Sequence, residues 1–191
     1  DDIAPLDRSL YALRDVTGTV ESIPLMAGSI MSKKLASGVD ALVFDVKCGS
    51  GAFMKDMEQS AKLAETLISI GKGMGKKVRA VISDMNQPLG RYVGNSLEVV
   101  ESIEVLRGEG PEDLRELTLI LGSHMMVLGD KAKDIDTAKK MLTNYLDNRQ
   151  ALNKFGDIIS AQDGDRRVIE DTNLLPISKN ICKVTSIEAS Y

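Results

Sequence analysis

The sequence predicts an α/β fold, part of a small helical domain followed by a mixed or parallel sheet flanked by helices, and three observations carry that prediction. First, Ala41 to Lys47 is an apolar run too short for a helix and bounded by glycines, the pattern of a buried parallel strand. Second, Met57 to Met74 sets Ala61, Ala64, Leu67, Ile68 and Ile70 on one side and runs into Gly71, Gly73 and Gly75. That is the pattern of a returning helix, and Val78 to Ser83 is the next strand. Third, apolar residues recur at helical spacing both before and after this unit. Strand, glycine loop, helix and strand make a βαβ unit, whose crossover should be right-handed.

In chain order, Asp7 to Gly18 carries Leu10, Tyr11 and Leu13 at helical spacing and reads as one short helix and a turn. A second helix starts near Ser22, whose hydroxyl can cap it with Pro24 in the first turn, and runs to about Ala36 before Gly38. Residues 1–37 are therefore assigned to the helical domain and 38–191 to the α/β domain. Beyond the βαβ unit, Asn95 to Leu106 reads as a helix capped by Asn95 or Ser96 and stopped at Gly108-Glu109-Gly110. Pro111 opens a helix to Leu128, and Asp134 to Tyr145 and Arg149 to Ala161 are two more. Ile181 to Ile187 is expected to be a further strand.

Hydrophobic residues at 43% against 27% charged are globular proportions and exclude disordered and collagen-like classes. The 191 residues suffice for one domain or one plus a subdomain. No apolar run approaches the ~18–20 residues of a membrane span, and no leader pattern is seen, so the chain is expected to be soluble. A net charge of −4 argues against a non-specific nucleic-acid binder, and any anionic ligand must be met locally. Cys48 and Cys182 make no disulfide framework, which fits a reducing cytoplasm. The chain opens at Asp1-Asp2 without Met and closes in mid-pattern at Tyr191, which suggests a piece of a longer protein.

The catalytic inventory is short. His124, the single histidine, sits in an apolar helix, where packing is the commoner role than catalysis. Asp45 at a strand end suits an acid, a base or a metal ligand, or a loop cap. Cys48 stands beside Lys47 and glycines, where a thiolate would be stabilised, yet no histidine lies near it in sequence. Gly49-Ser50-Gly51 resembles half of a phosphate-cradling loop, but Met54 stands where a dinucleotide fingerprint has its third glycine, and no Gly-Lys-Ser/Thr ending follows. A tight turn packing strand on helix is the alternative. The most informative set is Arg14 with Ser29 and Lys33, the last two spaced i, i+4 on one helix face while Lys34 points elsewhere. Donors plus a hydroxyl that also accepts suit a small planar ligand with carbonyl oxygens and an N–H.

The string from Tyr11 to Leu25, with Arg14-Asp15-Val16-Thr17-Gly18-Thr19 at its centre, is followed by Ser29-Ile30-Met31-Ser32-Lys33-Lys34-Leu35. Further blocks are Asp45-Val46-Lys47, Gly49 to Met54, Ser83-Asp84-Met85, Gln87 to Gly90, Gly94 to Val99 and Leu121-Gly122-Ser123. In order and spacing this resembles the pyrimidine nucleoside phosphorylase family, which includes thymidine phosphorylase, and the resemblance covers the chain to about Gly164.

The resemblance implies a pentosyltransferase of pyrimidine salvage that reversibly splits uridine, thymidine or deoxyuridine with phosphate into free base and pentose 1-phosphate. It implies a helical base-binding and dimerising domain, an α/β phosphate-side domain, a homodimer, and no organic cofactor. Arg14, Ser29 and Lys33 match the family's base-binding residues, with Arg14 and Lys33 as the catalytic donors, and Tyr11, Val20, Ile30 and Phe53 match its apolar lining. Leu89, Tyr92 and Glu101 match positions that hold a potassium ion, Glu101 having as its alternative a solvated helix carboxylate. The family's phosphate-binding Lys-x-Ser stretch and its candidate catalytic histidine correspond to residues upstream of Asp1, so the chain alone is expected to be inactive. A phosphoribosyltransferase of related fold and a non-catalytic scaffold module are the alternatives.

Overall fold

The computed structural model of the chain describes residues 4–178 and 180–186. Within them the order is α1 (Pro5–Val16), α2 (Ile23–Ala36), β1 (Ala41–Cys48), α3 (Met57–Gly73), β2 (Lys77–Asp84) and α4 (Asn95–Arg107). Then come α5 (Glu112–Leu128), α6 (Ile135–Asp147), α7 (Gln150–Ala161) and two 3₁₀ turns, Arg166–Ile169 and Thr172–Leu174. The α/β class is as expected, and the elements to Ala161 fall close to their expected bounds. The strand expected from Ile181 is absent over residues 181–186, and Ile187 lies outside the described residues. A strand persists only where a ladder partner is in reach, and Ile181 and Val184 stand 86% and 89% exposed.

Two expected caps also differ. Ser22 occupies the N-cap of α2 but its hydroxyl makes no capping bond. Helix α4 is capped at Gly94 rather than at Asn95 or Ser96, and the Glu98 carboxylate reaches back to accept from the Gly94 N–H at 3.0 Å. Asp56 does cap α3, accepting from the Gln59 N–H at 2.8 Å.

The chain forms two compact units, one of residues up to Arg91 with Pro111–Tyr145, the other of Tyr92–Gly110 with the residues from Leu146 on. In the first, β1 and β2 pair in parallel from Ala41 opposite Lys77 to Cys48 opposite Asp84. Strand side chains alternate between faces, so Leu42, Phe44 and Val46 turn together toward Leu63, Ala64 and Leu67 of α3. Met26, Ala27 and Met31 of α2 close the same core. The opposite face, with Val43, Asp45, Lys47, Arg79 and Ser83, meets α5, where the Arg79 guanidinium donates to His124 Nδ1 at 3.0 Å. That bond requires a neutral imidazole with its proton on Nε2. His124 is thus a packing residue that ties α5 to β2.

The second unit packs α4 on α7 and the first 3₁₀ turn through Ile103, Leu152, Val168 and Ile169. Arg107 Nη2 donates to the carbonyls of Ile169 and Glu170 at 2.6 and 2.9 Å, fixing the turn to the end of α4.

Helix α3 lies close to β2 at Gly71, where a Cβ would overlap Val78 Cγ2 and stand 3.4 Å from Met31 Cε. Gly71→Ala is therefore expected to destabilise by about 1–3 kcal/mol through overpacking, read as a lower denaturant midpoint with unchanged slope. Burial first, and the Arg79 charge second, push the His124 pKa below its ordinary 6.5. Folding then favours the neutral ring, so this contribution is complete above about pH 6.5 and is lost as pH falls through the lowered native value. Thermal melts from about pH 7.5 to 5 should show a shallower acid-side decline in His124→Gln than in the unaltered chain, and equal declines would assign the acid sensitivity to other groups.

Candidate active site

Helices α1 and α2 enclose a cavity of about 840 Å³ lined by Asp7, Tyr11, Arg14, Ser29 and Lys33 among others. Asp7, Tyr11 and Arg14 fall four and three residues apart on α1 and share one face, and Ser29 and Lys33 share one face of α2. The Lys33 ammonium donates to Asp7 Oδ2 at 2.5 Å and to Ser29 Oγ at 2.8 Å. The bond from Lys33, followed by one from the Ser29 hydroxyl, holds the Asp7 carboxyl below its ordinary pKa. One ammonium N–H and one hydroxyl lone pair are left over by this arrangement.

Arg14 is 7% exposed although it ends a helix whose Leu10 and Leu13 are 50% and 57% exposed. Its guanidinium is held by the loop that follows: Nε donates to the Thr19 carbonyl at 3.5 Å and Nη2 to the Val20 carbonyl. The Tyr11 ring lies beneath it, 5.3 Å from the guanidinium carbon to the ring centroid. The cation is thereby fixed in place, and the Nη1 side has no protein partner among the described residues.

Four of the seven residues singled out for base binding, Tyr11, Arg14, Ser29 and Lys33, therefore share one cavity. Ile30 and Phe53 line a second, of about 530 Å³, with Phe44, Asp45, Lys47 and Met85, and Phe53 is 52% exposed. Val20 lines neither of the two cavities, and its carbonyl acts as the anchor of Arg14.

The glycine loop before Phe53 is a tight turn and not an anion cradle. The N–H of Gly49 donates to the Met54 carbonyl, that of Ser50 to Asn86 Oδ1, that of Gly51 to the Met85 carbonyl and that of Ala52 to the Gly49 carbonyl, at 2.8–3.0 Å. Lys55 Nζ closes over it, donating to the Ser50 and Ala52 carbonyls at 3.1 and 2.6 Å. Glycine is required at both positions, because a Cβ on Gly49 or Gly51 would stand 2.8 Å from backbone atoms of Asn86 or Met85.

Asp45 accepts from the Ser83 hydroxyl at 2.5 Å and from the Lys47 ammonium at 2.7 Å. Cys48 is partly buried, and no side-chain hydrogen bond to it is found among the described residues. Leu89 lies in the first unit and is 37% exposed, while Tyr92 and Glu101 lie in the second at 38% and 3%. Glu101 is thus a buried carboxylate, and the alternative of a solvated one does not hold. Among the described residues no group of three or more His, Cys, Asp or Glu is placed to hold a metal. No helix there is long and apolar enough to cross a membrane.

Asp7, Ser83 and Asn86 were not singled out by sequence. A signal existed for Asp7, which precedes Tyr11 and Arg14 by four and seven residues on the same helix face.

The sequence model of the glycosyl transferase family, a/b domain, matches residues 2–152. The chain is 51% identical over 189 residues to a pyrimidine-nucleoside phosphorylase of Geobacillus stearothermophilus, covering 99% of this chain and 44% of that protein. It is 55% identical over 174 residues to that of Bacillus subtilis (strain 168), covering 91% of this chain and 40% of the relative. A Staphylococcus aureus (strain COL) pyrimidine-nucleoside phosphorylase is 53% identical over 174 residues, with the same 91% and 40% coverage. The chain spans about two fifths of the length of these curated relatives. With the match extending over most of its residues, the chain belongs to the glycosyl transferase family that carries this α/β domain.

Proposed function

We propose that these residues form the base-binding side of a pyrimidine nucleoside phosphorylase, which transfers the pentose of uridine, thymidine or deoxyuridine reversibly to phosphate. One observation supports this above others. In a chain more than half identical to proteins of that name, Arg14, Ser29 and Lys33 converge on one cavity with their spare donors and acceptor.

As the glycosidic bond lengthens, negative charge builds on the carbonyl oxygens of the departing base and the sugar becomes cation-like. Arg14 and Lys33 then stabilise the leaving base more than the neutral nucleoside, which lowers the barrier. Ser29, already accepting from Lys33, accepts from the ring N–H with its remaining lone pair and so selects against bases that lack it. Asp7 and the Thr19 and Val20 carbonyls orient the two cations so that little rearrangement accompanies the reaction. The base lies along α2, its polar edge toward Lys33 and its face toward Ile30 and Phe53.

Phosphate is the co-substrate, with its donors assigned by the resemblance to a stretch upstream of these residues. We place the division between base-binding and phosphate-side parts at residues 37 and 38, and the compartment in the cytoplasm. The homodimer forms through α1 and α2, where Leu6, Leu13 and Val16 leave an apolar face 73%, 57% and 80% exposed. The potassium ion implied by the resemblance at Leu89, Tyr92 and Glu101 would take oxygen donors, the chemistry that carbonyls and a carboxylate offer.

In the complete polypeptide, Lys33→Ala is expected to lower turnover of uridine or thymidine by ~10²–10³-fold, the range for removing one preorganised donor. A loss under about tenfold, ~1.4 kcal/mol, would refute the leaving-group role. Arg14→Ala should act alike, and Lys34→Ala should be mild because its side chain points away from the cavity. Phe53→Ala should weaken nucleoside binding by ~1–3 kcal/mol and leave the KM for phosphate unchanged. A rise in phosphate KM would place the anion at the glycine loop after all.

A further inference from the structure

Ser29 differs from five other helical serines of this chain. Ser9, Ser60, Ser102, Ser123 and Ser160 each give the hydroxyl proton to the carbonyl four residues earlier, at 2.6–3.2 Å. Ser29 stands in the middle of α2, and among the described residues its hydroxyl bonds no backbone carbonyl. Its Oγ instead accepts from Lys33 Nζ at 2.8 Å, and the same ammonium donates to Asp7 Oδ2 at 2.5 Å. All three side chains line the cavity between α1 and α2.

The polarity of that hydroxyl follows from a count of protons. A serine Oγ has one proton and two lone pairs, and an ammonium has three protons and no lone pair. Lys33 therefore takes a lone pair of Ser29 and cannot receive its proton. The Asp7 carboxyl, held below its ordinary pKa by Lys33 and Ser29, is ionised and acceptor-only, and it takes the hydroxyl proton of Ser29. What Ser29 still presents to a ligand is one lone pair, with a spare Lys33 N–H beside it. A ring N–H next to a carbonyl oxygen satisfies both. A bare ring nitrogen at the same place sets lone pair against lone pair and leaves both unpaired.

We propose that Asp7 is a positioning residue for base selection: its carboxylate fixes the Ser29 hydroxyl as an acceptor, so that the site takes pyrimidines with a ring N–H, uracil and thymine, over cytosine, whose corresponding nitrogen is bare. This rests on the nucleoside reading above, in which Ser29 meets the ring N–H. It assigns the selection to a carboxylate on α1 that acts through a hydroxyl on α2.

The complete polypeptide is used without phosphate, so that binding is measured apart from turnover. Calorimetry gives the dissociation constants of uridine and of the riboside of 2-pyrimidinone, which has a bare nitrogen in place of the ring N–H and lacks the 4-amino group of cytidine. The unaltered protein should bind uridine the more tightly. In Asp7→Asn the one carboxamide oxygen is left to Lys33 and the amide N–H groups face Ser29 as donors, which releases the hydroxyl proton to the ligand. The ratio should then shrink by ~10-fold or more, chiefly because the 2-pyrimidinone riboside binds more tightly than before. A merely structural loss weakens both ligands and leaves the ratio where it was. Asp7→Glu keeps the carboxylate and should hold the ratio within about threefold, whereas Asp7→Ala, which tests the same point should the carboxamide variant not fold, should shrink it as Asp7→Asn does.

An unchanged ratio in Asp7→Asn and Asp7→Ala, or an equal shrinkage in Asp7→Glu, overturns the proposal. In a Ser29→Ala background Asp7→Asn should alter the ratio less than about twofold, because the carboxylate acts only through that hydroxyl. An effect of the same size with and without Ser29 overturns it too. Turnover of pyrimidine nucleosides with phosphate, beside a ratio indifferent to Asp7, removes this inference and leaves the phosphorylase reading. A ratio governed by Asp7 in a polypeptide that turns over no pyrimidine nucleoside does the reverse.

Discussion

The parallel pairing of β1 with β2 sends both strands out at the same edge, and the first unit is organised by that constraint. Two strands alone bury too little to persist in water, and a parallel pair needs both faces covered. One face is supplied by α3, returning from the end of β1 to the start of β2 and laying Leu63, Ala64 and Leu67 on Phe44 and Val46. The other is met by α5, tied at the Arg79–His124 bond. Because the crossover returns every strand in the same sense, the polar ends of β1 and β2 and the loops that follow them gather at one edge. Asp45, Lys47, Ser83, the glycine loop and Asn86 are brought together there by topology, from segments 36 to 38 residues apart.

The α1–α2 pair turns charged groups inward as well as apolar ones: Met26, Ala27 and Met31 of α2 join the core, and another face of α2 shares with α1 a cavity that holds Asp7, Arg14 and Lys33. Arg14 is buried while Leu6, Leu10 and Leu13 of the same helix stand exposed. Burying a guanidinium is costly unless its donors are met, and here the Thr19 and Val20 carbonyls and the Tyr11 face meet it. Lys33 is similarly constrained by Asp7 and Ser29. Neither cation is placed for greatest stability, since hydrophobic residues would fill such positions at less cost. Donors held in this way are what the base-binding role proposed for Arg14 and Lys33 requires.

Much of this was legible in residue order. The short apolar run at Ala41 to Lys47, the one-sided helix after Met57 and the glycine stops report backbone periodicity directly, and those elements appear where they were expected. Caps were less legible, because Ser22, Asn95 and Ser96 are all good capping types and only local backbone geometry decides which oxygen reaches an N–H. The stretch from Ile181 has strand-like composition, but composition does not provide a neighbouring strand. For the site, spacing along one helix revealed the shared face of Ser29 and Lys33. The partner Asp7, 26 residues from Lys33, becomes visible only when α1 lies beside α2. The glycine loop was ambiguous for the same reason. Its chemistry depends on whether its N–H groups are already taken, and two of the four takers, Met85 and Asn86, belong to the turn after β2.

That occupancy bears on how charge is distributed over the reaction proposed for the complete protein. With Gly49, Ser50, Gly51 and Ala52 all donating within the protein, the loop offers no set of free N–H groups to an anion, and it acts as a rigid carrier for Phe53. The α1–α2 cavity sums to one positive charge over Asp7, Arg14 and Lys33, whereas the cavity at the strand ends is neutral over Glu21, Asp45, Lys47 and Lys55. In glycosidic cleavage the base gains negative charge while the pentose gains positive charge. A net cationic lining where the base is proposed to bind favours that separation. A net negative lining there would oppose the charge that the proposed leaving base gains. The net charge of the α1–α2 lining therefore matters as much to the proposed chemistry as the identity of any one donor.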